Sequence, residues 1–205
     1  MTEKITTPVI IILAVMMTWT SVYSSRLLGK INNIDISKSD EDLGITPLPF
    51  ETNGLTSEKE ISKTINIALF GIDKKNPTDI GRSDSIMIAS LDTKHKKIKL
   101  TSIMRDTYVS IPNRGMDKIN HAYAFGGPVL SLKTINQNFH VNIREFAAVD
   151  FEGIESIIDA LGGVEVTLKE NEISYVPGSS IGTQILNGEQ ALAYSRVRKT
   201  GNGDF

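Results

Sequence analysis

INIALFGIDKKNPTDIGRSDSIMIASLD, residues 65–92, holds two apolar runs separated by a polar loop that has an aspartate at each end. The runs INIALFGI (65–72) and DSIMIASLD (84–92) are short, rich in isoleucine and bounded by turn residues, so both read as buried core strands. After the polar turn at 93–96, KIKLTSI (97–103) alternates Ile98, Leu100 and Ser102 on one side, the period of a third strand. Pro128 suits the first turn of a helix running to about Phe139. REFAAVDF (144–151) reads as a strand, and EGIESIIDAL (152–161) as an amphipathic helix ended by Gly162 and Gly163. VEVTL (164–168) is a strand again, and Asn187 with Gln190 has the form of a capping box opening a last helix. Strands and helices mix throughout, which predicts an α/β domain with a mixed β-sheet flanked by helices, an α/β/α arrangement.

Outward from that core, a chain of 205 residues has room for one medium domain and an accessory segment. A formal charge of −2 argues against bulk nucleic-acid binding, and the absence of cysteine removes disulfides, thiolate metal sites and thiol nucleophiles. Residues 5–25, ITTPVIIILAVMMTWTSVYSS, carry no charge between Lys4 and Arg26. At about 1.5 Å per residue such a stretch crosses a bilayer core of about 30 Å, with Trp19 and Tyr23 placed as interfacial aromatics. One transmembrane anchor is the favoured reading. A cleaved secretory signal competes with it, against a weakly basic start and no A-x-A-like site. Lys4 on one side and Arg26 and Lys30 on the other leave the orientation open. From Asp35 to Glu60 seven acids stand against two lysines, punctuated by Gly44, Pro47, Pro49 and Gly54, the composition of a solvated tether. Folded sequence is expected to start near Ile65.

Polar residues gather at the ends of the apolar strands: GID (71–73), GRSD (81–84) and MRD (104–106). Ligands of open α/β sheets bind where such strand-end loops converge. Asp73 and Asp84 flank one loop, where two carboxylates suit a hard cation such as Mg²⁺, or equally cap turn N–H groups. Arg82 and Arg105 offer planar forks matched to phosphate oxygens, or pair locally with Asp84 and Asp106. Lys118 and Asn120 add a cation and an amide near a helix start, which itself favours anions. His121 has no second histidine at metal spacing and stays outside the site. Arg196 and Arg198, two residues apart beyond the last helix, form either a cationic clamp or the basic decoration of a helix C-terminus.

Read together and in order, FGID, GRSDSIMIASLD, SIMRDTYVSIP, DKINHAYAFGGP, FEGIESIIDALGGVEV and LNGEQALAYSRVRKTGNGDF resemble the LytR-CpsA-Psr family of cell-wall glycopolymer ligases, over nearly all of residues 65–205. The resemblance implies a membrane-anchored phosphotransferase. Such an enzyme moves an anionic glycopolymer, a teichoic acid or capsular polysaccharide, from polyprenyl pyrophosphate to peptidoglycan. It implies Mg²⁺, with Mn²⁺ as the alternative ion, held by Asp73 and Asp84. Pyrophosphate would be bound and neutralised by Arg82, Arg105, Arg196 and Arg198 with help from Lys118, and Asp106 would be either the base for the acceptor hydroxyl or a buried orienter of Arg105. The layout it implies is a cytoplasmic tail (1–4), a transmembrane signal-anchor (5–25), an extracytoplasmic acidic linker (26–64) and a catalytic domain (65–205). That makes a single-pass type II protein of the cell membrane with its catalytic domain outside. Family members continue beyond GDF with a further Arg- and Gln-containing motif, a helix and a strand, so the domain is expected to be incomplete at its C-terminus. Two other readings share the same residues: a metal-dependent hydrolase of polyprenyl pyrophosphates, and a non-catalytic lipid-pyrophosphate binding remnant. Transcriptional regulation finds no helix-turn-helix signal or basic face.

Overall fold

The computed structural model describes residues 32–46, 64–74, 76 and 78–197. The proposed anchor (5–25), part of the linker and Arg198 lie outside the described residues, among which no helix is long and apolar enough to cross a membrane. Contacts divide the chain into two units, Met1–Ile36 and Ser37–Phe205. Residues 32–36, the described part of the first, have no regular secondary structure.

In the second unit, strands β1 (Thr64–Asp73), β2 (Arg82–Asp92) and β3 (Lys97–Ile103) pair antiparallel in sequence. After a hairpin of β4 (Tyr108–Ile111) and β5 (Gly115–Lys118) and helix α1 (His121–Phe139), strand β6 (Glu145–Val149) pairs parallel with β1. The sheet is therefore mixed, in the order β3-β2-β1-β6. Helix α2 (Phe151–Ala160) follows β6, then a second hairpin of β7 (Val164–Leu168) and β8 (Gly182–Leu186), then α3 (Gly188–Ser195). The predicted strands and helices are all present. The strands β4, β5 and β8, and the first seven residues of α1 (121–127), were not predicted.

Alternation explains which face is core. Ala68, Phe70 and Ile72 of β1 share a side with Ile86 and Ile88 of β2, and all five are buried. Against them α1 sets Tyr123, Leu132 and Ile135, with the Phe70 and Tyr123 ring centroids 5.5 Å apart. Register places Ile65, Ile98 and Leu100 on the opposite side, where they stay 50, 72 and 61 % exposed. The expected α/β/α sandwich is thus complete over one face, and the described residues cover the other only in part. Helix α1 bends where Gly127 takes φ 61°, ψ −154°, a region barred to residues with a Cβ, and Pro128 opens its straight second piece as predicted.

A smaller cluster of Leu168, Val176, Leu186 and Ala191 forms where the β7–β8 hairpin meets α2 and α3. There Gly188 lets the helices touch: a Cβ on it would stand 2.3 Å from the Glu155 carbonyl oxygen. Asn187 and Gln190 make the predicted capping box, each side chain bonded to the other's backbone N–H.

One expectation is corrected. Residues 37–46, predicted to lie in the solvated linker, fold against the domain. Leu43 is fully buried, its carbonyl accepts from the Asn136 amide at 2.9 Å, and Lys133 Nζ donates to the Glu41 carbonyl at 3.1 Å. Asp40 pairs with Arg144 and Lys38 with Glu145. The acids that made this stretch look like a tether are partly matched by cations far along the chain, a pattern that composition hides.

Helix α2 yields a testable cap. The Asp150 carboxylate accepts from the Gly153 N–H at 3.1 Å, which, ahead of the nearby Lys74 ammonium, holds its carboxyl below the usual carboxylate range. Asp150→Ala is expected to cost about 1 kcal/mol in thermal unfolding at neutral pH. A carboxylate with a lowered folded-state pKa stabilises fully above the unfolded value of about 4 and loses that effect as pH falls through the lower folded value. The difference between parent and variant should therefore begin to narrow below about pH 4 and close once pH has fallen through the lower folded value; a gap that stays constant through that fall would mean the carboxylate is not the cap.

Candidate functional site

Antiparallel pairing brings the C-terminal ends of β1 and β3 and the N-terminal end of β2 to one edge of the sheet, and the parallel β6 ends there too. The register breaks at this edge. Gly71 faces Ser85, but Ile72 faces Ser83, so Asp84 is the extra residue of a β-bulge. Bulges free a residue from the ladder and re-aim its side chain.

The freed carboxylate is gripped from two directions. Arg105 Nη1 donates to Asp84 Oδ2 at 3.0 Å, and Asn120 Nδ2 donates to Asp84 Oδ1 at 3.1 Å. Arg105 Nε also lies 3.6 Å from Asp106 Oδ2, and Lys118 Nζ donates to Asp106 Oδ1 at 2.6 Å. The result is a continuous chain, Asn120–Asp84–Arg105–Asp106–Lys118, across three segments. Backbone bonds hold it in register: Ile119 N–H to the Thr107 carbonyl and Asn120 N–H to the Arg105 carbonyl. Half of the Arg105 side chain is exposed, so its other donors are open to a ligand.

Asp106 is not the buried orienter that was the alternative to a base; its side chain is 51 % exposed. The Lys118 ammonium, more than the Arg105 guanidinium, holds its carboxyl below the usual range. A carboxylate stabilised in this way stays anionic at neutral pH and is a weakened base, whereas it orients both cations well. Asn120 is buried, and one of its two amide hydrogens is donated to Asp84. Its Oδ1 and the Oγ of Ser83, the residue before Asp84, are buried without a hydrogen-bond partner among the described residues. Asn120 therefore holds Asp84 in place. Unpaired buried polar atoms cost stability, and their presence beside Asp84 fits a site shaped for something other than folding.

Asp73 and Arg82 face each other across the end of the β1–β2 ladder, one rung beyond the bulge. Arg196, at the end of α3, lies with its guanidinium carbon 4.2 Å from the centroid of the Phe151 ring at the start of α2. Beside it Lys74 Nζ is 3.2 Å from Asp150 Oδ2. Lys74 and Phe151 were missed by sequence reasoning: Lys74 carries only the weak signal of following Asp73, and Phe151 reads as an ordinary apolar residue. His121, left out of the site, pairs with Asp117 at 2.9 Å and sets its ring 5.8 Å from that of Phe125, apart from the chain of bonded groups.

Asp73 and Asp84 are the carboxylates at this end of the sheet that would hold a cation, if one binds. Among the described residues no group of three or more His, Asp or Glu side chains forms a closed metal cage. Mg²⁺ does not require one: it is commonly held by one or two carboxylates, with water and substrate phosphates completing the shell, and two all-oxygen ligands beside a bulge fit that donor set. With Arg82, Arg105, Lys118 and Arg196 around this edge, the arrangement is suited to a metal-assisted anion with several phosphate oxygens.

Known proteins are similar to this chain in sequence and in fold. The model of the LytR_cpsA_psr family matches residues 31–205. A polyisoprenyl-teichoic acid–peptidoglycan teichoic acid transferase TagU of Oceanobacillus iheyensis is 42 % identical over 158 residues, covering 73 % of this chain and 47 % of that protein. The chain spans about half the length of the curated relatives it matches. Among solved structures, Bacillus subtilis TagT is 32 % identical with a TM-score of 0.59, over 72 % of this chain and 60 % of its own. TagT with bound octaprenyl pyrophosphate lipid aligns at a TM-score of 0.58 and 32 % identity, over 70 % and 61 %.

Proposed function

The chain belongs to the LytR_cpsA_psr family, and on that premise we propose that it transfers an anionic glycopolymer, of the teichoic-acid class, from a polyprenyl pyrophosphate carrier to a peptidoglycan hydroxyl. The observation that carries this reading is the bulged Asp84 held between Arg105 and Asn120 at a strand-end edge rich in guanidinium groups. The names of the TagU relatives and the octaprenyl pyrophosphate bound by TagT supply the substrate class.

In this reading the acceptor oxygen attacks the phosphorus attached to the sugar, the bond from that phosphorus to the bridging oxygen breaks, and polyprenyl monophosphate leaves. The new bond is a phosphodiester between polymer and peptidoglycan. Charge on the phosphoryl oxygens is what the protein must stabilise. Arg105, fixed at one side by Asp84 and Asp106, presents its remaining donors without having to reorganise. Arg82, Lys118, Arg196 and, from outside the described residues, Arg198 neutralise the rest. Asp73 and Asp84 would hold Mg²⁺ or Mn²⁺, which when bound supplies Lewis-acid neutralisation of pyrophosphate. Asp106 orients Arg105 and Lys118, and in a loose transition state the acceptor proton departs late, so a weak carboxylate base at this position is enough to pass it to solvent. Residues 5–25 would anchor the protein in the membrane, with residues 65–205 forming the catalytic domain on the extracytoplasmic side.

Incubation with Mg²⁺ and a lipid-pyrophosphate-linked saccharide tests the proposal. Polyprenyl monophosphate should appear only when peptidoglycan is supplied. Release without acceptor would favour hydrolysis, and retention of intact lipid would leave a binding protein.

A further inference from the structure

We propose that Phe151 is a positioning residue for pyrophosphate binding: its ring is the platform that holds the Arg196 guanidinium ready for a phosphate. This role rests on the proposed function above, since it assigns Arg196 a ligand.

Arg196 ends a short helix and is exposed, with four rotatable bonds between backbone and charge. A side chain of this length loses appreciable rotamer entropy whenever it is fixed by a ligand. In this structure the cost is already met in part, because the guanidinium carbon sits 4.2 Å from the Phe151 ring centroid. Attraction between a cation and the ring face fixes the guanidinium over the ring, and because a ring face takes no N–H hydrogen bond of the forked kind, the guanidinium keeps its planar pair of donors for a phosphate. Among the described residues Arg196 has no carboxylate partner, so none of them forms an ion pair there that an incoming anion must displace. The contrast with Arg105, which is held by two carboxylates, is chemical: a ring orients a guanidinium without neutralising it.

The platform is itself fixed. Phe151 is the first residue of α2, directly after the Asp150 cap that bonds the Gly153 N–H and pairs with Lys74. Helix α3, which carries Arg196, is held to α2 by the close approach at Gly188, whose N–H donates to Asp159 Oδ1 at 2.7 Å. Ring and guanidinium therefore come from two helices in a defined mutual position. Val149, two residues before Phe151, pairs with Gly71 at the same sheet edge as Asp73 and the bulge.

The experiment measures binding of farnesyl pyrophosphate with Mg²⁺ by calorimetry, in the parent and in Phe151→Leu, Phe151→Trp, Arg196→Ala and the Phe151→Leu/Arg196→Ala double variant. Phe151→Leu should weaken binding about three- to tenfold, and Phe151→Trp should stay within about twofold of the parent, because it keeps a cation-binding face. In the Arg196→Ala background Phe151→Leu should change nothing further, the signature of two residues acting as one. Upfield ring-current shifts of the Arg196 side-chain protons should vanish in Phe151→Leu and persist in Phe151→Trp. Undiminished binding by Phe151→Leu, failure of Trp to rescue, or an equal loss in the Arg196→Ala background would each overturn the role. If the parent binds no farnesyl pyrophosphate, the pyrophosphate reading fails and takes this role with it; if the parent binds and only Phe151→Leu is silent, the role alone fails.

Discussion

Arg105→Ala is expected to lower the rate of glycopolymer transfer about 10²- to 10³-fold, the usual consequence of removing one preorganised donor from a site where anionic charge develops. Stability should move by less than about 1 kcal/mol. The Arg105–Asp84 pair is half exposed on the arginine side, and such pairs contribute little to folding. A purely structural salt bridge would give the opposite pattern, with activity falling only as far as folding does. Lysine is a discriminating control. Arg105→Lys keeps the charge but loses the fork that contacts Asp84 and Asp106 together, so it should recover little of the rate. Measuring transfer and melting temperature on both variants settles the matter, and a Lys variant as active as the parent would remove Arg105 from the site.

The second large effect is on the fold. Asn136 is 1 % exposed, its amide donates to the carbonyls of Leu43 and Ile143 at 2.9 Å each, and its Oδ1 accepts from the Ile143 N–H at 2.8 Å. One side chain thus joins α1, the segment 37–46 and the approach to β6. Asn136→Ala strands three buried backbone groups. At about 1–3 kcal/mol for each such group, the loss should reach about 3 kcal/mol or more, a fall in melting temperature on the order of 10 °C for a domain of this size. Limited proteolysis should spare residues 37–46 in the parent and cut them in the variant. A loss below about 1 kcal/mol, with those residues still protected, would mean that apolar burial of Leu43 alone holds the segment.

That segment shows where sequence reading stops. Acids at 40, 41 and 42 look solvated in isolation, and nothing nearby reveals that Lys133, Asn136 and Arg144 receive them and their backbone. Tertiary pairing overrode composition. By contrast β1 and β2 were legible as short apolar runs bounded by turn residues, β3 by its two-residue alternation, and the Asn187–Gln190 cap because both its bonds are local. The β4–β5 hairpin was not, since Pro112 and Gly115 interrupt two four-residue strands whose apolar positions, Val109 and Ile111, gain meaning only from packing against α1. β8 has the same difficulty: its partner β7 lies across a loop containing a 3-10 turn.

In the site, residue types were legible and relations were not. The strand-end aspartates and arginines stood out by position, yet the bulge that frees Asp84 depends on register against Gly71 and Ile72. Asn120 holds Asp84 through a contact between residues 36 apart in sequence, which no local pattern announces. Phe151 gave no signal at all, because an aromatic at the start of a helix reads as core until the cation above it is seen.

The most direct measurement of the central claim follows a ³²P label placed in the sugar-proximal phosphate of a polyprenyl-pyrophosphate-linked saccharide. With Mg²⁺ and peptidoglycan present, the label should move into the peptidoglycan fraction as a phosphodiester, leaving unlabelled polyprenyl monophosphate in the lipid fraction. Label recovered as soluble sugar phosphate, or remaining in the intact lipid, would contradict transfer.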